Sequence, residues 1–297
     1  MSHFCRALCG RSGALDLAFA VIIITEMNFS APLRRDLAQR ALRFAEANSL
    51  PHSLSYGETP VVCFAPEEEH HGNFIAASYK AILSNPDWRR RLAKIHAQGK
   101  KSLPTTDRGR WMELDTCTSS DALLMNIFCY PRLSRGWAFN LPGVNSAAAP
   151  HFGVKARVPL LNGRSDQTEV DMRLGDLLIE AKLTESNFQK AAKKVMVRYR
   201  DFSDVFENEQ LPQTEDCYLS YQLLRNVLAA HALGCSFSVL LDARRPDLLE
   251  AWYAVMRCVK PVELRTALRV LTWQELARIL PTALRDFLAA KYGIEAT

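Results

Sequence analysis

The chain has 297 residues, of which 48% are hydrophobic and 23% charged. A chain of this length buries roughly 75% of the surface its unfolded form exposes, so no disulfide framework or structural metal is needed to hold a core, and the composition excludes a fibre or a disordered tail. Its 37 Lys and Arg against 32 Asp and Glu leave a net charge of +5, too slight an excess to identify an anionic partner.

The eight cysteines, at 5, 9, 63, 117, 129, 217, 235 and 258, include no CxxC pair. Cys117, Cys129, Cys217, Cys235 and Cys258 sit in or beside apolar segments, the pattern expected of a reduced, cytoplasmic protein with buried thiols. Residues 14–24 are an apolar run that contains Asp16 and falls well short of the ~20 residues a membrane span needs. Arg6 and Arg11 imitate the start of a secretory leader, but no clean small-residue cleavage site follows. Met27 offers an alternative start, ahead of a helix over 32–47 that places Leu33, Leu37, Ala41, Phe44 and Ala45 on one side.

Residues 49–72 contain three prolines and little periodicity. A helix is predicted over 73–83, and another from a cap at Asn85, with Pro86 in its first turn, to about residue 97. The second is basic through Arg89, Arg90, Arg91 and Lys94, with Lys100 and Lys101 beyond it. It is either a solvated face or a phosphate-contacting surface. Ser119 or Ser120 caps an apolar, buried helix, DALLMNIFCY.

From residue 151 the period becomes strand-like, with strands predicted over 152–160, 168–174 and 177–182. Ser186 and Gln189 suggest a capping box for a helix to about 199, with Lys190, Lys194 and Arg198 on one stripe and Phe188, Ala191, Val195 and Tyr199 on the opposite one. Residues 201–216, with six acids and no bases, read as an exposed loop. A helix over 217–233 and a strand over 235–242 extend the sheet, and helices follow over 247–258 and 272–280, the last with a Thr272/Glu275 capping box.

The chemistry concentrates in EVDMRLGDLLIEAK, residues 169–182. If Gly175 and Asp176 form a two-residue type II′ turn, Leu174 pairs with Leu177, Met172 with Ile179 and Val170 with Ala181, which makes one face wholly apolar. On the other face Asp171 lies opposite Glu180, Glu169 opposite Lys182 and Arg173 opposite Leu178. Opposed side chains have Cβ atoms roughly 4.5 to 5.5 Å apart, so two carboxylates there repel unless something neutralises them. A divalent ion, a shared proton or Lys182 can do so. Hard oxygen ligands point to Mg2+ or Mn2+, with water and substrate phosphate completing the shell and the Ala181 carbonyl as a further donor. Lys182 beside such an ion suits it to hold an attacking water or to stabilise charge on a phosphate. The plain alternative is an ordinary wet hairpin face, against which stand the interior-type run Leu177, Leu178, Ile179 and the basic stripe that follows.

These residues resemble the PD-(D/E)XK nuclease superfamily: Asp171 is similar to its first acid and Glu180-Ala181-Lys182 to its E-x-K, although Val170 stands where the family has Pro. The wider pattern, HHGNFIAASYKAILSNPDW at 70–88, IEAKLTE at 179–185, YQLLRN at 221–226 and the closing KYGI, resembles a bacterial branch whose biological substrate is generally unassigned. The resemblance implies an α/β, restriction-endonuclease-like fold: a central mixed sheet flanked by helices, with a nuclease-like core over 110–245, a helical N-terminal extension over 1–109 (1–26 lying upstream of the alternative start) and a helical C-terminal extension over 246–297. It further implies that Asp171 and Glu180 bind Mg2+ (or Mn2+) and that Lys182 completes a catalytic set. Supporting residues would be Glu169, a Glu from an early core helix, for which Glu113 is the candidate with Asp115 and Asp121 as rivals, and a Gln on a later helix, for which Gln222 is the candidate, with Asn226 where some branches carry Tyr. The expected function is a metal-dependent endonuclease acting on DNA, with Lys190, Lys194, Arg198, Arg89 and Arg90 contacting nucleic acid and no membrane partner. The alternatives are a non-cleaving nucleic-acid-binding protein on the same fold and a small-molecule phosphohydrolase. Neither GxGxxG after a strand nor a P-loop is present, which argues against a dinucleotide enzyme.

Overall fold

Five strands form one mixed sheet: β1 (Pro150–Lys155), β2 (Glu169–Leu174), β3 (Leu177–Ala181), β4 (Ser236–Leu241) and β5 (Leu268–Thr272). The structure, a computed structural model, describes residues 28–56, 60–95, 105–106, 109–131, 133 and 149–296. The spatial order of the strands is β5-β4-β3-β2-β1. Pairing is antiparallel between β1 and β2 and between β2 and β3, and parallel from β3 to β4 and from β4 to β5. Parallel neighbours need long crossovers. Helices supply them.

The helices of six residues or more among the described residues are α1 (Ser30–Ala47), α2 (Ala76–Ser84), α3 (Pro86–Arg91), α4 (Ser120–Phe128), α5 (Tyr221–Leu233), α6 (Pro246–Met256) and α7 (Thr282–Tyr292). On one side of the sheet, Leu223, Val227 and Trp252 of α5 and α6 pack against Leu178, Phe237 and Val239. On the other, Leu37, Leu123, Ile127 and Leu288 of α1, α4 and α7 pack against Met172, Ile179 and Leu240. A sheet covered on both faces explains why β3 reads as an unbroken apolar run before Glu180.

Local rules account for most of these elements. Asn85 Oδ1 caps α3, accepting from the Asp87 and Trp88 N–H groups at 3.0 and 3.3 Å. Ser119 Oγ caps α4 by accepting from the Ala122 N–H at 3.1 Å. The Thr272/Glu275 capping box forms. Of the two hairpin residues Gly175 alone has a positive φ, 57°, as a type II′ turn requires, and Leu174 pairs with Leu177, Arg173 with Leu178 and Met172 with Ile179.

Elsewhere the structure corrects the pattern. The helix predicted from residue 186 to 199 does not form: Gln189 takes a φ of 61°, Lys190–Ala192 pairs as a strand with Cys217–Leu219, and only Lys193–Met196 is helical. The basic stripe therefore has no helix to lie on. The strand predicted to reach residue 160 ends at Lys155, just before Arg157 at φ 53°, and α3 ends at Arg91, short of residue 97. β5 has no counterpart among the predicted elements. The described cysteines, 63, 117, 129, 217, 235 and 258, are free thiols, and among the described residues no helix is long and apolar enough to cross a membrane. The leader-like run, the alternative start at Met27, Lys100 and Lys101 lie outside the described residues.

Candidate active site

The β2–β3 ladder runs from the turn to Met172 and Ile179. Beyond that pair the strands part. β2 continues against β1 through Val154↔Val170 and Lys155↔Glu169, while β3 continues against β4 through Val239↔Glu180 and Leu240↔Ala181. In this fork the Ala181 N–H donates to Asp171 Oδ2 at 2.9 Å, which brings the Asp171 carboxylate to the backbone between Glu180 and Lys182. The fork also corrects the predicted apolar face: Val170 packs in the Leu178 cluster, apart from Met172 and Leu174.

Glu180 and Lys182 are 2% and 4% exposed. Lys182 Nζ lies 2.7 Å from Glu180 Oε1, and Asn226 Nδ2 donates to Glu180 Oε2, also at 2.7 Å. The lysine backbone is held at both ends, its N–H donating to the Leu240 carbonyl at 2.8 Å and its carbonyl accepting from Trp273 Nε1 at 2.9 Å. Burial alone would lower the Lys182 pKa, but Glu180, Glu185 and Asp171 outweigh it and raise it above its ordinary value, so the ammonium stays charged. Half-buried Asp171 goes the opposite way for a carboxyl. Burial first, then Glu180 and Asp121, push its pKa up to about 8 against the pull of Lys182 and Lys94. Two of the three neutralising devices expected of the hairpin thus operate together: lysine at Glu180, a proton at Asp171.

A second group of acids adjoins the first. Lys94 Nζ lies 2.9 Å from Glu113 Oε1 and 2.6 Å from Asp121 Oδ2, and Arg91 spans Asp121 Oδ2 at 2.9 Å and Glu169 Oε2 at 2.7 Å. Glu169 therefore turns to Arg91 and away from Lys182, its expected partner. Arg91 can reach there because Gly153 stands in its way with no side chain: a Cβ at that position would lie 2.3 Å from Arg91 Nη1 and 3.0 Å from Glu169 Oε2. Burial and Asp121 raise the Glu113 pKa in spite of Lys94. Of the rivals to Glu113, Asp121 is the more enclosed, at 2% exposed and in the first turn of α4, and acts on the charge of Asp171. Asp115 faces elsewhere, with Oδ1 3.1 Å from His71 Nε2 and Oδ2 accepting from the Met112 N–H at 2.7 Å.

The other predicted residues lie outside this cluster. Arg89 and Arg90 are exposed on α3, and Arg90 pairs with Asp87. Beside them a cleft of about 360 Å3 is lined by Arg90, Arg91, His151 and Glu169. Lys190, Lys194 and Arg198 are exposed on the ribbon and turn that replace the predicted helix. On α5 it is Asn226 that reaches Glu180; Gln222 is held through its N–H, which donates to the Phe188 carbonyl at 3.0 Å. The inward roles of Arg91 and Lys94 were the least visible in the sequence. Their only signal is a spacing of three, which puts them on one side of a helical turn.

Among the described residues, no group of three or more His, Cys, Asp or Glu side chains is placed to hold a metal ion. That donor set does not suit a closed structural site. It does suit Mg2+ or Mn2+, which take one or two protein carboxylates and complete an octahedral shell with water and phosphate oxygens. The proton held by Asp171 marks the negative charge such an ion would relieve.

A five-stranded mixed sheet, covered by helices on both faces and extended by helices at either end, is the restriction-endonuclease-like architecture. A family model described as "Restriction Endonuclease associating with ARP" matches residues 42–293, and the chain belongs to that family. The match runs beyond 110–245 in both directions. No curated protein and no solved structure matches the chain.

Proposed function

We propose that the protein is a metal-dependent nuclease that hydrolyses phosphodiester bonds, most readily those of DNA. The observation that carries this reading is the meeting of Asp171, Glu180 and Lys182 at the fork between β2 and β3. Asp171 and Glu180 would hold Mg2+ or Mn2+, whose chemistry when bound is to polarise the scissile phosphate and stabilise the leaving oxygen. Lys182, charged and fixed by Glu180, directs an N–H toward an attacking water or a phosphate oxygen on which charge builds. Asn226 keeps the Glu180 carboxylate oriented from the far side. Arg89, Arg90, Lys190, Lys194 and Arg198 supply exposed phosphate contacts that position a polymer without reading its bases. The family description also names an association with ARP, which we carry over to this chain as a partner of the proposed nuclease.

The test is incubation of the purified chain with supercoiled plasmid, single-stranded DNA and RNA, with Mg2+, Mn2+ or EDTA, beside Asp171→Ala. Cleavage of DNA that needs the ion and Asp171 is the expected result. A non-cleaving nucleic-acid-binding protein is the second reading, and the near-complete burial of Glu180 and Lys182 favours it. It predicts salt-sensitive DNA binding with no ion-dependent product. Cleavage only of small phosphodiesters, indifferent to heparin or bulk DNA, would replace both readings with a phosphohydrolase.

A further inference from the structure

Lys94 is built into the acid cluster from two directions. Its carbonyl accepts from the Glu113 N–H at 2.9 Å, while its Nζ is clasped by Glu113 Oε1 and Asp121 Oδ2 at 2.9 and 2.6 Å. Asp121, 2% exposed and anchored in a wholly buried helix, has no route to solvent. Both partners of this contact act on the charge of Asp171. An ammonium held by two carboxylates beside a third acid is the arrangement a second cation takes in a two-ion site, where the ions stand about 3.5 to 4 Å apart.

Resting on the nuclease reading, we propose that Lys94 fills the second cation position, so that the site accepts a single divalent ion, at Asp171 and Glu180. Charge balance supports this. Glu113, Asp121, Glu169, Asp171 and Glu180 set five carboxylates against the three cations Arg91, Lys94 and Lys182. The two negative charges left over match one divalent ion. A second ion would have to displace Lys94 and Arg91 from the one Asp121 oxygen they share. Lys94 is here a positioning residue: it sets the charge and stoichiometry of the site without touching the scissile group.

Counting bound Mn2+ by calorimetry and by the electron paramagnetic resonance of the free ion tests this on the full chain without reference to cleavage. Wild type is expected to bind one equivalent and Lys94→Met two, the added ion lying between Glu113 and Asp121. Adding Asp121→Asn to Lys94→Met should return the count to one, and Lys94→Arg should keep it at one. Two equivalents in wild type, or one in well-folded Lys94→Met, overturns the inference and leaves the nuclease reading standing. If Lys94→Met does not fold, the counts for wild type and Lys94→Arg decide. No Mn2+ bound by wild type removes the nuclease reading and this inference with it.

Discussion

Replacing Asp171 with Asn removes the charge at the fork and keeps the shape. The amide oxygen can still accept the Ala181 N–H, now bonded to Asp171 Oδ2 at 2.9 Å, while the charge opposed by Glu180 and Asp121 is gone. In metal-free protein, burial and those two acids raise the Asp171 pKa from 3.8 to about 8. Between those values the folded chain keeps a proton that the unfolded chain has released, so stability falls as pH rises. Each pH unit removes at most about 1.4 kcal/mol, so between about pH 5 and about pH 7 wild type loses on the order of 2 kcal/mol relative to Asp171→Asn. That is about 4 to 8 °C in Tm. Thermal unfolding of both proteins in EDTA across this range, repeated with Mg2+, measures it. In EDTA the gap in favour of the variant should widen with pH; Mg2+ should raise wild type alone and close it. Titrations common to both proteins cancel in the difference. Parallel pH curves in EDTA would refute the crowding of acids at this site, and with it the reason an ion should bind there.

Lys182→Ala should abolish cleavage and also cost about 3 to 5 kcal/mol in urea unfolding, because it leaves buried Glu180 without its counter-ion. Gly153→Ala should destabilise by about 1 to 3 kcal/mol, since φ is 64° there and the new methyl meets Arg91; an unchanged denaturation midpoint would contradict that packing. His71 should shape the acid limb of stability. Burial lowers its pKa from 6.5 despite Asp115, and its Nδ1 accepts from the Asn73 N–H at 3.1 Å, so the folded ring is neutral. Its contribution is complete above 6.5 and lost as pH falls below it, a slope that His71→Gln should flatten. Arg89→Ala and Arg90→Ala should each lower the salt slope of DNA binding by about 1 without changing base preference.

The hairpin is legible because a two-residue turn converts pairing into counting: once Gly175 is placed, Met172 must meet Ile179. Counting fails two residues later. It assumes that β2 and β3 stay together, whereas each finds another neighbour, Val154 for Val170 and Leu240 for Ala181. The same departure brings the Asp171 carboxylate onto the Ala181 N–H, so the site forms where the predicted ladder ends. Residues 186–199 fail for a related reason. Their helical period is real, but Ala192 pairs with Cys217, a partner local periodicity cannot see. β5 likewise depends on a distant neighbour, lying parallel to β4 from Phe237↔Leu268 to Leu241↔Thr272.

The basic run at the end of α3 marks the limit of local reading most clearly. Arg89 and Arg90 face water, while Arg91 and Lys94 enter the acid cluster, and all four sit in the same stretch of positive charge. What separates them is tertiary. Gly153 on β1 opens a passage for the Arg91 guanidinium, the turn at Glu113 fixes Lys94 through its carbonyl, and α4 delivers Asp121 from inside the core. The acids come from four separate segments, around Glu113, Asp121, Asp171 and Glu180, and two of their three cations come from one turn. The charge the site offers an incoming ion is thus set by how those segments pack. A substitution at Lys94 or Gly153, remote from the E-x-K motif in sequence, should change ion binding as directly as one within it.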